Sequence, residues 1–293
     1  MAFYLLPQIC SSATIEFGPF LLYIDRYSFS YVYYIVSIIA MSLSAVQNLY
    51  NLCKEIFSPP GIVPLPPAVN RLTSFLETIR AVDVGLQERR IMEIEQHSSL
   101  PYMAGPNRRR RQHRRSRTVA SSTRTTWTPP VTYIQVHESP SFSIGIFCLP
   151  TSSVIPLHDH ANMTVFSKIL YGSMHINSYD WLDPQPTVSF QHPYPLDLRL
   201  AALKVDGDFA APCEVSVLYP TSGGNIHSFT ALTSCAVLDI LSPPYSGNPS
   251  YFRECPYPGL PGNEDGVWLE EIEKPDNFFM RQYPYTGPVI DVT

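Results

Sequence analysis

Residues 156–181, PLHDHANMTVFSKILYGSMHINSYDW, decide the fold. They read as two strands of a small barrel, and they carry two histidines one residue apart. Side chains alternate faces along an extended strand, so His158 and His160 point to one side and Asp159 to the other. Two imidazoles on one face can share a metal ion. A His-x-His pair alone is more often a surface or hydrogen-bonded pair than a ligand set, because histidine has many other uses. The candidate third ligand is His227, at the end of Tyr219 to His227, YPTSGGNIH, where Gly223-Gly224 lets the backbone double back before the histidine.

The rest of the chain surrounds this pair with short β-rich runs. Val131 to Val136, Phe142 to Cys148, the two strands around His160, Leu198 to Val205, Cys213 to Leu218, His227 to Leu232 and Cys235 to Ile240 are separated by turn residues. Trp268 to Ile272 and the tyrosine- and proline-rich C-terminus are expected to close or cover the barrel. A His-x-His pair, a glycine-containing turn, another strand and a downstream Gly-rich turn before a third histidine form the two-part layout of a cupin. The expected fold class is therefore mainly β, a double-stranded jelly-roll barrel with a few N-terminal helices outside it.

Those helices are read from period. Val46, Leu49, Tyr50, Cys53 and Phe57 recur at three- and four-residue intervals, which predicts an amphipathic helix ending at Ser58-Pro59-Pro60-Gly61. A second helix is expected from about Ala68 to Ala81, with Leu72, Phe75, Leu76 and Ile79 inward and prolines before its start.

Three segments, IPLHDH with the run from Met163 to Trp181, YPTSGGNIHSFTALTSCAVLDILSPPYS, and Tyr251-Phe252-Arg253, closely resemble the plant cysteine oxidases, relatives of the mammalian 2-aminoethanethiol dioxygenase. Upstream, Gln47 to Phe57, Gly61-Ile62-Val63-Pro64 and Asp83-Val84-Gly85-Leu86 look like that family's N-terminal helical region. The likeness runs from about Gln47 to about Val289, broken by one insertion. It organises the chain as an unmatched apolar segment (1–45), a helical region (46–86), an Arg-rich insertion expected to be disordered (87–127) and the cupin barrel (128–293), with 46–86 and 128–293 forming one domain.

The residues around the pair bear on the metal. Many cupins carry a glutamate about four residues after His-x-His, but Thr164 stands there, and no Asp or Glu occurs between Ala161 and Tyr179. Three neutral imidazoles leave the full dipositive charge on a ferrous ion, which favours an anionic ligand such as thiolate. Three protein ligands on one face leave about three positions for a thiolate, an amine and dioxygen, a proximity arrangement. The resemblance implies the particular reaction: a non-haem iron (Fe2+) enzyme that uses O2 to oxidise the N-terminal cysteine of proteins to cysteine sulfinic acid. It also implies group VII ethylene response transcription factors as partners, an oxygen-sensing step of the N-degron pathway, a nuclear and cytoplasmic location, and a monomer. A Zn2+ or other divalent cupin acting as sensor or hydrolase is the alternative, since three histidines with open positions also describe a zinc-hydroxide site. A third reading is a scaffold with a filled barrel and no metal.

Asp239 lies in the otherwise apolar strand AVLDIL, where an unpaired carboxylate is costly, so it needs a partner. The matching aspartate of the family lies in the active-site cavity, which implies that Asp239 positions substrate or metal-bound groups; a buried Asp satisfied by backbone amides is the alternative. Tyr245, in SPPYS, matches a family tyrosine near the cavity mouth, and its alternative is plain packing. The chain departs from the family at His160-Ala161-Asn162-Met163, where relatives continue His-Pro-Gly-Met. Asn is the non-glycine residue best able to take positive φ, so the turn is expected to survive.

The remaining candidates read as structural. His175 sits in a strand motif without a metal role in the family, and His192, His137, His113 and His97 are expected in loops or on the surface. Cys148 and Cys235 have no neighbouring base in sequence, and a buried cysteine usually acts as a small apolar group. The six cysteines show no framework spacing, which fits reduced thiols in a cytosolic or nuclear setting.

At 293 residues, 45% apolar and net charge −5, the chain can bury one sizeable core, and its balance does not suggest a nucleic-acid binder. Arg108 to Arg117, RRRRQHRRSR, reads either as an import or polyanion-binding patch or as a solvated loop. Tyr27 to Leu43 is uncharged but slightly short of the roughly 20 residues that span a bilayer, and no basic residue precedes Arg26 as a signal peptide requires. A non-conforming N-terminus, a membrane anchor and an extra buried element are the readings for this stretch.

Overall fold

The structure is a computed structural model that describes residues 13–17, 20–24, 44–99, 129–183, 198–255 and 266–292. The chain divides into two compact units, Met1–Ser44 and Ala45–Thr293. In the first, β1 (Ala13–Phe17) and β2 (Phe20–Ile24) form an antiparallel pair. The apolar run at 27–43, the Arg run at 108–117, His113 and His192 lie outside the described residues.

The second unit begins with helices α1 (Ala45–Ile56), α2 (Pro66–Thr78) and α3 (Glu88–Ser99). Val46, Leu49, Tyr50 and Cys53 form the buried face of α1, as their spacing predicts. α2 starts two residues earlier than expected because Pro66 occupies its first turn, where a missing N–H costs nothing. α3 corrects the expectation that all of 87–127 is disordered. Its Ile94 is buried, Arg90 stacks 4.3 Å from the Tyr283 ring centroid, and Arg89 and Arg90 both pair with Glu93 at helical spacing. This 12-residue helix was hidden by the basic run that follows it.

The strands are β3 (Val131–Glu138), β4 (Ser143–Leu149), β5 (Val154–Asp159), β6 (Thr164–Tyr171), β7 (Ser173–Trp181), β8 (Leu198–Ala210), β9 (Ser216–Leu218), β10 (Ile226–Ala231), β11 (Cys235–Ser242), β12 (Tyr251–Glu254), β13 (Gly266–Ile272) and β14 (Met280–Gln282). One set closes as a barrel in the order β10-β5-β12-β13-β8-β7, and the other is a six-stranded sheet, β14-β3-β4-β11-β6-β9. Jelly-roll topology of this kind is the expected cupin architecture.

β11 shows how sequence builds the layers. All eight of its residues, CAVLDILS, are buried. Ala236, Leu238 and Ile240 pack into the cluster that contains Val46, Leu49, Leu72 and Leu76 from the helices, while Cys235 and Val237 join a different cluster with Met174 and Phe229. The period-2 alternation thus sends even positions to the helical layer and odd positions to the interior, which puts Asp239 on the interior side. The helices lie outside the sheet, as the sequence implied.

Candidate metal centre

His158 comes from β5, His160 follows it, and His227 comes from β10 directly beside it, with His227 and His158 paired in register. A register shift between His227 and Phe229 against β5 breaks the alternation, so that Ile155 and His158, three residues apart, both line the same cavity. Pro156 sits within this irregularity, where a residue without an N–H is tolerated. Its carbonyl accepts a hydrogen bond from His158 Nδ1 at 2.8 Å, which leaves His158 Nε2 free to face a metal ion.

The loop after β5 turns at Ala161-Asn162. Asn162 takes φ 61°, and Met163 N donates to His160 O at 3.0 Å, so the turn survives the departure from His-Pro-Gly-Met. Asn225 then locks it from the other side. Its Oδ1 accepts from His160 N at 3.0 Å, and its Nδ2 donates to His160 O at 2.9 Å and to Tyr219 O at 2.7 Å. The N–H groups of Gly224 and Asn225 both donate to buried Asp180 Oδ1 at 2.9 Å. Gly223 and Gly224 have φ +84°, and a Cβ on Gly224 would lie 2.4 Å from Ser178 Oγ, so the doubling back requires glycine there.

Tyr245 completes the support of His160. Its hydroxyl donates to Asp159 O at 2.6 Å and so accepts from His160 Nδ1–H at 2.8 Å, fixing the imidazole with Nε2 unprotonated. His160 Nε2 and His227 Nε2 are 3.1 Å apart, and the candidate ligand atoms of all three histidines lie within 4.8 Å of one another. Two nitrogens each about 2.1 Å from one ion would be roughly 3.0 Å apart at a right angle, so the observed pair is already at ligand spacing. Burial pushes the His158 imidazole down to about 4 and holds His160 and His227 well below their ordinary value, their mutual repulsion adding to the effect. All three are neutral at pH 7, the form that ligates metal. Among the described residues this is the one cluster of His, Cys, Asp or Glu with metal-ligand spacing, and it contains no carboxylate. The donor set fits a divalent transition metal with open positions.

The surrounding cavity is about 300 Å3 and is lined by the three histidines with Asp239, Tyr245, Tyr133 and Phe147. All five site residues read from the sequence therefore meet in one place. Asp239 is 3% exposed and has one carboxylate oxygen, Oδ1, without a partner among the described residues. Burial raises its carboxyl to about 7, and the Ser167 hydroxyl beside it offsets part of the rise. The alternative in which backbone amides satisfy Asp239 fails for that oxygen. Tyr133, Asn225 and Asp180 were missed. The only sequence signal for Asn225 was its place between Gly223-Gly224 and the third histidine.

The other histidines and cysteines fall elsewhere. His175 bonds Asp208 at 2.7 Å near the surface of the barrel. His137 corrects the loop-or-surface expectation: it lies in β3, half-buried, its ring 4.8 Å from Tyr50 and 5.1 Å from Phe142, because it bridges α1 to the sheet. His97 lies in α3. Cys148 and Cys235 are buried in apolar clusters, and burial pushes the Cys235 thiol up to about 12, consistent with inert packing residues.

Three buried, neutral imidazoles converging inside a two-sheet barrel define a cupin with a donor set that could hold a metal ion. Comparison with known proteins takes the assignment further. The family model described as PCO_ADO matches residues 75–290. Plant cysteine oxidase 1 of Arabidopsis thaliana is 43% identical over 242 residues, 80% of this chain and 72% of that protein. Plant cysteine oxidase 2 of the same organism is 39% identical over 263 residues, 84% and 83% of the two chains. The 2-aminoethanethiol dioxygenase of Mus musculus is 35% identical over 187 residues, 55% of this chain and 72% of the other. Among solved structures, an RmlC-like cupin from Desulfovibrio desulfuricans aligns with 45% of this chain and all of its own, at 20% identity and TM-score 0.27. The chain belongs to the PCO_ADO family of thiol dioxygenases.

Proposed function

We propose that His158, His160 and His227 hold one ferrous ion, and that the enzyme oxidises the N-terminal cysteine of protein substrates. The reaction balances as R–SH + O2 → R–SO2H, with both oxygen atoms ending on sulfur. The observation that carries this reading is the all-imidazole donor set beside a cavity that keeps one carboxylate oxygen, Asp239 Oδ1, without a partner among the described residues. Bound ferrous iron would supply the open positions and the redox chemistry that bring thiolate and dioxygen together.

The chain's own residues do the rest. Tyr245 keeps the His160 proton on Nδ1, away from the metal side. Asp239, poised near neutrality, is placed to accept a hydrogen bond or proton from the amine or thiol of the incoming cysteine. Glu138 and Lys274 line the same cavity and offer opposite charges to the residues that follow the cysteine. Group VII ethylene response transcription factors, the N-degron pathway and a nuclear and cytoplasmic location form the wider role we propose. The sequence resemblance to plant cysteine oxidases and the basic run at 108–117 support it, and a fluorescent fusion with and without that run tests the location.

The direct test is mass spectrometry of a peptide with a free N-terminal cysteine, incubated in air with ferrous-loaded protein, beside the same peptide N-acetylated. The expected result is a gain of two oxygen atoms by the free peptide alone, abolished by His158→Ala or His227→Ala. No gain by either peptide with iron bound stoichiometrically would refute the reading. Metal analysis and a zinc-loaded control separate it from a zinc cupin.

A further inference from the structure

A second cavity, of about 210 Å3, lies on the far side of His227. Its wall is largely apolar, including Ile169, Met174, Ile176, Val205 and Phe209. Three hydroxyls interrupt that wall, Ser167, Ser178 and, at its outer end, Ser216, and Ser178 Oγ is buried without a protein partner among the described residues. Phe209, 37% exposed, and the exposed Glu214 and Ser216 place its outer end at the surface between β8 and β9.

Both cavities are lined by His227 and Phe229. These two rings are stacked, with centroids 4.5 Å apart and planes 30° apart. The partition between the second cavity and the metal centre is therefore a single layer of side chains.

The two cavities suit different molecules. The first is the one with Asp239, Tyr245, Glu138 and Lys274, groups that can meet the amine and backbone of a peptide. A peptide whose N-terminal residue has entered it trails its remaining chain through the same mouth and obstructs that path. Dioxygen is uncharged, gains little from water and is about the size of a water molecule, roughly 30 Å3 in liquid. Apolar protein cavities of similar size take up xenon and other apolar guests.

We propose that the second cavity is a gas port, which collects O2 and passes it by the Phe229 edge to the metal centre while the peptide fills the first. The inference rests on the dioxygenase reading, and its test is arranged so that either can fail alone.

Crystals of the protein pressurised with xenon are expected to show xenon in the cavity beside Met174 and Ile176, a readout that needs no turnover. Val205→Trp and, separately, Ile176→Phe narrow the cavity without touching the histidines. Each is expected to lower xenon occupancy and raise KM for O2 about tenfold, leaving KM for the peptide and kcat at saturating O2 within about twofold of the unaltered enzyme. Absence of xenon from this cavity in the unaltered protein overturns the inference. So does an unchanged KM for O2 in a folded, iron-loaded variant that excludes xenon. Failure of the unaltered protein to oxidise the peptide would instead remove the dioxygenase reading, and with it the port's purpose, whatever xenon shows.

Discussion

Tyr245→Phe is the sharpest probe of how the metal centre is held. The substitution removes one oxygen and keeps the ring, which lies 5.4 Å from the His160 imidazole. Two hydrogen bonds vanish, from His160 Nδ1 at 2.8 Å and to Asp159 O at 2.6 Å. The His160 N–H is buried and loses its acceptor, a cost of about 1–3 kcal/mol. Without that acceptor nothing holds the proton on Nδ1, and the tautomer with Nε2 protonated, unable to ligate, becomes populated. Removing such outer partners of a metal-bound histidine typically costs about 10–100-fold in metal affinity or activity. The assay is ferrous-ion affinity by chelator competition, with the thermal midpoint of the metal-free protein measured in parallel. The expected result is weaker iron binding by about that factor and a midpoint lowered by roughly 2–8 °C. Iron affinity within about threefold of the unaltered protein would show that the hydroxyl does not set the His160 tautomer, and the argument would be wrong.

Three other outcomes follow from the same geometry. Asp239→Asn should flatten the pH dependence of stability in the metal-free protein: the carboxyl is raised to about 7 when folded, so it adds stability below its unfolded value near 4 that is lost as pH rises through 7, about 4 kcal/mol at most. Urea unfolding at pH 5 and pH 8 measures this, and equal slopes in both proteins would sink it. Asn225→Ala removes three hydrogen bonds that hold the His160 turn and should cost about 2–4 kcal/mol in unfolding free energy, together with loss of iron; an unaltered iron stoichiometry would contradict the positioning role. Gly145→Ala brings a Cβ to 2.5 Å from the Tyr133 ring, which must shift within the cavity, so KM for the peptide should rise while iron binding is kept. An unchanged KM would mean that Tyr133 does not shape the peptide site.

The three histidines were legible because their signal is local: one strand face for His158 and His160, and a glycine turn for His227. The irregularity in β5 was not, since a register shift depends on the partner strand, and no spacing in VIPLHD reveals that Ile155 and His158 share a side. Asp239 announced itself as a charge in an apolar strand, and β11 alternation settles which way it faces. Asn225 and Asp180 stayed invisible because their work is done across 44 to 65 residues of sequence, through bonds to backbone that any polar residue might have made. α3 was lost for a different reason: its apolar face is short, and the neighbouring basic composition outweighed it.

The last residues of the described chain bear on how this protein comes to be made. Gln47 in α1 donates to Asp291 O at 2.9 Å and accepts from Asp291 N at 2.6 Å, and β14 lies parallel along β3. Lys274, Phe278 and Met280, from the same final stretch, wall the metal cavity. On a ribosome that adds about 5–20 residues per second, the helical layer and all three ligands emerge well before the strands that fasten one and enclose the other. Until that stretch has followed, the three histidines stand in a chamber that lacks one side.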